Sequence, residues 1–469
     1  MATYPADLLF LFSELKGWSV NTQRLIPVSL QSLSPGNYLT VNLPENTMID
    51  PKSLVIMGDI VGIKGNGSTS GGVQCVLPVG SWSLIDQISV NINGLVIDSS
   101  CTSYNVLHKL KWDMTKGNRY SAESVLELTQ PRNNTVQGTQ NTALPQIGYA
   151  LSSGAAGAAN GTVPSANSLY WAGSTTQNAY PFVLKDFYGF LGQPRMIDCT
   201  ATGMIQVQFR FAPTDILMQG ASTDGTPSYS IQNLRAFINV ADVNDGLYYA
   251  AMAQRMAQAP VAIPFKKYYS IYAPQLDGTG SVRFSVNSRS VDAVYGILRP
   301  ANWTPVANTT GYLTPVNSYF ARKLSNIGLV SSASGNPVLT AATKWVRSCN
   351  FTLNSQLYPT WAANSDELYF LALNTFRQFK EEDVGVNPQM TYAEWHDVLG
   401  FASYRFSHDT DLNFVSGQNT LGLSANFTWD ITVDAAAGAV DGLNALPTVV
   451  CETTALLLVA SGRSVSIEN

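Results

Sequence analysis

Ser83-Leu84-Ile85-Asp86-Gln87-Ile88-Ser89-Val90-Asn91-Ile92-Asn93-Gly94-Leu95-Val96-Ile97 opens the stretch that decides the fold, and it runs on to Met114. Ile88, Val90 and Ile92 alternate with Ser89 and Asn91, which places the apolar side chains on one face of a strand. Asn93-Gly94 then forms a strong short hairpin signal, because both residues tolerate the positive φ of a type I′ turn. Leu95, Val96 and Ile97 return as the partner strand. Beyond a polar break from Asp98 to Ser103 the period changes. Tyr104, Leu107, Leu110 and Met114 fall at helical spacing.

The same unit recurs. Phe351 and Leu353 alternate with Asn350 and Thr352, Asn354-Ser355 makes the turn, and Leu357-Tyr358 returns. A helix follows, with Asn364 and Glu367 spaced as a capping box and a stripe of Leu368, Leu371, Ala372, Thr375, Phe376 and Phe379. The two turns lie 354 − 93 = 261 residues apart. Each unit is followed by an alternating strand, Ile205 to Phe211 in one case and Leu421 to Val433 in the other. A further apolar strand follows around Leu234 and Leu456, at 234 − 207 = 27 and 456 − 429 = 27 residues from Val207 and Trp429. The pattern predicts two copies of one β-rich domain in tandem.

A length of 469 residues accommodates two large all-β halves. Charged residues make up 13% of the chain, against about 25% in ordinary soluble proteins. That scarcity points to a surface covered by partners, since interface cores are depleted in Lys, Glu and Asp. Net charge is −5 and there is no Lys/Arg cluster, which argues against direct nucleic-acid binding through phosphates. Cys75, Cys101, Cys199, Cys349 and Cys451 are scattered and odd in number, so reduced buried thiols are expected rather than a disulfide framework. Met1 to Phe12 lacks a cationic start and a small-residue cleavage site, so no secretory leader is expected. The longest later apolar run, Ala455 to Ala460, is too short to span a bilayer.

Four segments are expected: an N-terminal arm at 1–35, a first domain at 36–244, a helical connector at 245–260 ended by Pro260, and a second domain at 261–469. The arm reads as a strand donated to a neighbour or as a lead-in. The first domain holds an uncharged insertion at 133–184, rich in Gly, Ala, Ser, Asn and Thr, read as a folded surface excursion. Asn302 to Thr343 reads as a polar loop.

Chemistry has little to work with. Of three histidines, His108 is expected at the polar edge of its helix. His408-Asp409 with Asp411 supplies too few ligands for a metal, and Glu381-Glu382-Asp383 reads as a solvated face. Gly65 to Gly72 is glycine-rich, but no Lys-Ser/Thr follows to make a phosphate loop. No Gly-X-Ser-X-Gly elbow and no Cys-X-X-Cys occurs. No catalytic, cofactor or metal residue is assigned, and no cofactor is expected. Trp112, Trp171, Trp303, Trp345, Trp361 and Trp395 would line a sugar site in a β-sandwich carbohydrate-binding or adhesion protein, the alternative reading. A β-sandwich glycosidase would need a carboxylate pair that no spacing singles out.

Three stretches resemble one family. They are Ile88 to Asp113, Phe284-Ser285-Val286-Asn287-Ser288-Arg289-Ser290-Val291 continuing to Tyr295 and Arg299, and Glu452-Thr453-Thr454 to Gly462-Arg463-Ser464-Val465. With the tandem architecture, the chain resembles the double jelly-roll major capsid proteins of adenovirus-like and tailless icosahedral viruses, of virophage, polinton-like and large algal virus type. The resemblance implies an all-β fold with a few helices, built as two tandem eight-stranded jelly-roll sandwiches. It implies a non-enzymatic structural role, in which homotrimers form pseudo-hexagonal capsomers that tile an icosahedral shell. Neighbouring capsomers, penton and minor capsid proteins, and an inner membrane would be the partners. The virion would be the location, after synthesis in host cytoplasm or a virus factory. The 133–184 insertion would be an outward tower or a clasp around the threefold axis, and the N-terminal arm would face inward.

Overall fold

The structure, a computed structural model, describes residues 19–64, 75–76, 80–115, 179–192, 196–216, 218–219, 228–243, 246–300, 319–320, 322, 324, 327–331, 337–341, 344–376, 392, 395, 400–407, 417–422, 426–435 and 445–469. The sequence's period-two runs become strands. In the first half these are β1 (Ser19–Ile26), β2 (Tyr38–Asn42), β3 (Met48–Lys64), β4 (Cys75–Val76), β5 (Ile85–Ile92) and β6 (Leu95–Asp98). Helix α1 (Tyr104–Thr115) follows, then β7 (Ala179–Leu184), β8 (Ile197–Asp198), the single turn α2 (Cys199–Thr202), β9 (Ile205–Phe211), β10 (Met218–Gln219) and β11 (Ser228–Val243). Helix α3 (Gly246–Gln258) leads into the second half.

The second half contains β12 (Val261–Tyr272), β13 (Gly280–Phe284), β14 (Val291–Pro300), β15 (Ile327–Ser331), β16 (Pro337–Ala341), β17 (Lys344–Leu353) and β18 (Gln356–Asn364). Helix α4 (Ser365–Thr375) precedes β19 (Ala402–Arg405), β20 (Phe427–Ala435), β21 (Ala445–Ala460) and β22 (Ser464–Glu468).

Strand order fixes the topology. The first half has one sheet ordered β1-β11-β3-β7 and another ordered β2-β9-β5-β6. The second half has β12-β21-β14-β19 and β13-β20-β17-β18. Numbering the eight main strands of each half in sequence, both halves read 1-8-3-6 and 2-7-4-5, with antiparallel pairs throughout. This is the jelly roll, in which two Greek keys stack two sheets face to face. The chain is a double jelly roll.

The core sits between the sheets of each half. Along β9, Ile205, Val207, Phe209 and Phe211 are fully buried while Gln206, Gln208 and Arg210 face outward, as the strand pleat requires. Phe427, Trp429 and Ile431 do the same along β20. Trp429 lies so close to β14 that a Cβ on Gly296 would come within 2.7 Å of its indole, so only glycine fits there. Both hairpins turn through left-handed residues, with φ of 49° and 82° at Asn93 and Gly94 and of 50° and 72° at Asn354 and Ser355. Asn364 caps α4 by accepting from the backbone N–H groups of Asp366 and Glu367 at 3.0 Å each, and Glu367 Oε2 accepts from Asn364 N at 2.9 Å.

Three expectations are corrected. The long strand expected from Leu421 begins at Phe427. Thr420 instead bonds back to Val286 O and Ser288 O, Gly422 turns at φ 70°, and Leu421 is exposed. The polar loop at 302–343 contains the two-stranded β15–β16 ladder. Ser19–Ile26, within the expected arm, is an edge strand of the chain's own first sheet. The insertion at 133–184 ends in β7, and its residues 133–178 lie outside the described residues.

Gly296→Ala is expected to destabilise the protein by about 1–3 kcal/mol through overpacking against Trp429. Urea midpoints of the two proteins check this; an unchanged midpoint contradicts it.

Candidate functional site at the seam

Helix α1 is buried on both sides, which an amphipathic stripe alone does not predict. Leu107, Leu110 and Met114 face the core of the first half. Lys109, Lys111 and Asp113 are also buried, and the charges of Lys111 and Asp113 meet the second half. Lys111 Nζ lies 2.7 Å from Glu452 Oε2 on β21 and donates to Tyr268 Oη on β12 at 2.6 Å. Tyr295 on β14 donates to the same Glu452 oxygen at 3.0 Å. The Lys111 ammonium also lies over the ring of Tyr268, 4.5 Å from its centroid, and over that of Tyr188 at 5.1 Å.

A second charge group continues from the first. Lys266 Nζ sits 3.9 Å from Glu452 Oε1, 2.7 Å from Asp292 Oδ2 and 2.9 Å from Thr454 Oγ1. Thr454 and Ser290 donate to the two oxygens of Asp292, at 2.5 and 2.7 Å. On the far side of α1, Asp113 pairs with Lys109 and accepts from Arg322 Nη2 at 2.9 Å. Buried ions persist only when partners replace water, and each carboxylate here has at least two.

The hairpin tip adds a polar clasp. Asn93 Nδ2 donates to Thr202 O at 2.6 Å and to Arg463 O at 3.1 Å, while Arg463 donates to Thr200 O and Asn46 Oδ1 at 3.2 and 2.8 Å. Gly203, at φ 81°, is required because a Cβ there would meet Asn93 Oδ1 at 2.5 Å. The three stretches that carry the family resemblance therefore all supply residues to the seam, at the charge cluster and at the hairpin clasp. They supply Lys111 and Asp113, then Ser290, Asp292 and Tyr295, then Glu452, Thr454 and Arg463.

Burial by itself raises the Glu452 carboxyl, but Lys111, Lys266 and Arg405 outweigh it and hold it at about 2. Asp86 goes the other way. Burial pushes it up to about 6, against the pull of Arg210, 3.5 Å away, and of Arg299. Burial also pushes the thiols of Cys101, Cys199 and Cys349 up to about 12, so they stay protonated and unreactive at neutral pH.

The sequence candidates for chemistry are dispersed. His108 is buried rather than at a polar edge, because aromatic rings of the first half close over it. Its ring stacks on Trp82 at 4.9 Å and meets Tyr188 at 5.0 Å. Trp395 is buried against Tyr369 and Phe401, and Trp361 is 48% exposed. His396, His408, Asp409, Asp411, Glu381, Glu382, Asp383, Trp171 and Trp303 lie outside the described residues. Among the described residues no group of three His, Cys, Asp or Glu side chains could hold a metal, and no helix is long and apolar enough to cross a membrane. The seam pairs were missed by sequence reading. Their only signal was two lysines and an aspartate within the apolar periodicity of α1.

No family model and no curated protein matches the chain. Solved structures do. A chain of the quasi-atomic PBCV-1 virus capsid matches at TM-score 0.57 and 11% identity, over 96% of this chain and 97% of that one. A PBCV-1 chain fitted into a reconstruction of the virophage Sputnik matches at 0.56 and 12%, over 96% and 97%. A chain of the Sputnik virophage matches at 0.51 and 12%, over 100% and 92%. The likeness extends over both halves and establishes a shared architecture.

Two tests address the seam. Lys111→Met leaves Glu452 buried without its nearest cation and is expected to cost about 3–5 kcal/mol, with partial recovery in the Lys111→Met/Glu452→Gln double variant. Equal losses in single and double variants contradict the coupling. In pH titrations of stability, unfolded Glu452 takes up its proton near 4.5 but the folded group only near 2. Its contribution is complete above 4.5 and is lost as pH falls toward 2. Asp86 titrates near 3.8 unfolded and near 6 folded, so its contribution is complete below 3.8 and is lost as pH rises through 6. Glu452→Gln should flatten the first limb and Asp86→Asn the second.

Proposed function

We propose that this chain is a major capsid protein, a structural component of an icosahedral viral shell. The observation that carries the reading is the double jelly roll itself, matched over nearly the whole chain by chains from the PBCV-1 capsid and the Sputnik virophage. The composition supports it, because a chain with 13% charged residues leaves little surface suited to bulk water on every side. So does the seam, which ties two sandwiches into one block through buried ion pairs and a backbone clasp. A shell subunit needs such a block to hold shape under load from its neighbours.

The subunit acts as a homotrimer. Three chains of two similar barrels give a six-lobed outline that packs with neighbouring capsomers on an icosahedral lattice. Penton and minor capsid proteins are the further partners. The protein is made in host cytoplasm or a virus factory and resides in the virion. Of the tryptophans expected to line a sugar site, Trp395 is buried in the core and Trp361 is exposed.

Light scattering on the purified protein tests the trimer. With 50.7 kDa per chain, 3 × 50.7 = 152.1 kDa is expected and should survive dilution. A mass of 50.7 kDa at all concentrations contradicts the reading.

A further inference from the structure

The ladder between β3 and β11 is broken on the outer face of the first sheet. Its partners step from Phe237 with Val55 to Asn239 with Asp50. Ile238 therefore stands opposite the whole of Pro51 to Leu54, a bulge that bends β3 and re-aims its side chains. Ser53 bridges the gap. Its hydroxyl accepts from Asn239 N at 2.8 Å and donates to Asp50 O at 2.6 Å. Asp50 Oδ1 accepts from Lys52 N at 3.2 Å and fixes the turn.

A cavity of about 290 Å³ lies at this break, lined by Thr22, Gln23, Asp50, Met196, Asn239 and Val240. Gln23, Asn239 and Asp50 are register partners on β1, β11 and β3, so they form one row across the sheet. Ile238 and Val240, on either side of Asn239, are buried, so the pleat turns the row away from the core. Adjacent strands lie about 4.8 Å apart, which sets the spacing of the three polar groups. Among the described residues, the side-chain amides of Gln23 and Asn239 and the Oδ2 of Asp50 make no hydrogen bond within the chain. Their donors and acceptors are open to a ligand. Met196, 47% exposed, adds an apolar wall.

The lining selects the chemistry of that ligand. A single carboxylate is a poor cage for a divalent cation, which gathers six or more oxygens. No Lys or Arg lines the cavity, so phosphate and sulfate groups meet no counter-charge. An apolar ligand would strand the polar row without partners. A neutral molecule dense in hydroxyls fits, because each hydroxyl both donates and accepts, carboxamides do the same, and a carboxylate accepts. We propose that this cleft binds a neutral monosaccharide unit of a glycan. Asp50 accepts from ligand hydroxyls, Gln23 and Asn239 donate to and accept from them, and Met196 packs on the C–H face of the ring. None of the tryptophans lines the cleft, so the site is separate from a tryptophan platform. It is a binding function carried on the outer face of one sandwich, and it needs no second copy of the chain.

Saturation-transfer NMR on the full chain tests it, with glucose, galactose, mannose and N-acetylglucosamine as neutral probes and sialic acid as the charged one. Transfer to at least one neutral sugar is expected, with a dissociation constant on the order of 1–10 mM for so small a ligand. Gln23→Ala and Asn239→Ala should each weaken it by about 5–10-fold, with circular dichroism and native mass unchanged. Asp50→Asn keeps the acceptor for Lys52 N and removes the charge, so it should weaken neutral sugars and reduce the discrimination against sialic acid. No transfer to any neutral sugar above that concentration range overturns the proposal, and so does binding that all three variants leave unchanged. Sialic acid binding as well as the neutral sugars overturns the ligand class. If one variant fails to fold, Gln23→Ala decides, since it is exposed on an edge strand. A trimer that binds no sugar contradicts this inference alone, whereas a monomer that binds one contradicts only the trimer.

Discussion

Glu452 is the group on which the arrangement of the two halves depends. A carboxylate this deep costs several kcal/mol to desolvate, and only fixed cations and donors on several sides offset that cost. Lys111 comes from the first half, Lys266 from β12 and the Tyr295 hydroxyl from β14. A small shift of either sandwich would leave an ion without its partner. The cluster therefore sets register more than it adds stability, as buried polar groups do where they have a single geometry. Around it, apolar packing such as Phe190 edge-on to Phe265 at 5.5 Å supplies the nonspecific attraction between halves.

The repeat shows how one sandwich was adapted to two positions. The strand ladders, bulges and helix starts are shared, and the differences concentrate where α1 and α4 face outward from their own halves. At α1 the outward residues are charged and paired across the chain. At α4 the equivalents of Lys109 and Asp113 are the exposed Phe370 and Asn374, and the equivalent of Lys111 is the buried Ala372. The fold is preserved by the core positions, so the outward positions were free to specialise. Low overall charge follows from this economy of exposed surface.

Much of this was legible in the sequence, and the reasons are local. Asn93-Gly94 and Asn354-Ser355 need positive φ, which few residues tolerate, so they marked both hairpins. Asn364 and Glu367 make a cap within four residues, so helix α4 was visible. Alternation gave β9 along its length because one face of it is buried. What failed was long-range. The Leu421 run alternates but is held to the Ser288 turn by Thr420, a partner 132 residues away. His108 was placed by its own helix's periodicity, whereas its burial comes from Trp82 and Tyr188, which lie outside that helix. The Lys111–Glu452 pair spans 341 residues, and no local pattern links two such positions.

The most direct test of the account is differential scanning calorimetry of the intact chain alongside Lys111→Met. If the seam makes one body of two sandwiches, the wild-type chain unfolds in a single transition with matching calorimetric and van't Hoff enthalpies. Loss of the Lys111 ammonium should then divide it into two. Two separate transitions in the wild type, unmoved by Lys111→Met, would contradict the claim that the buried charges couple the halves.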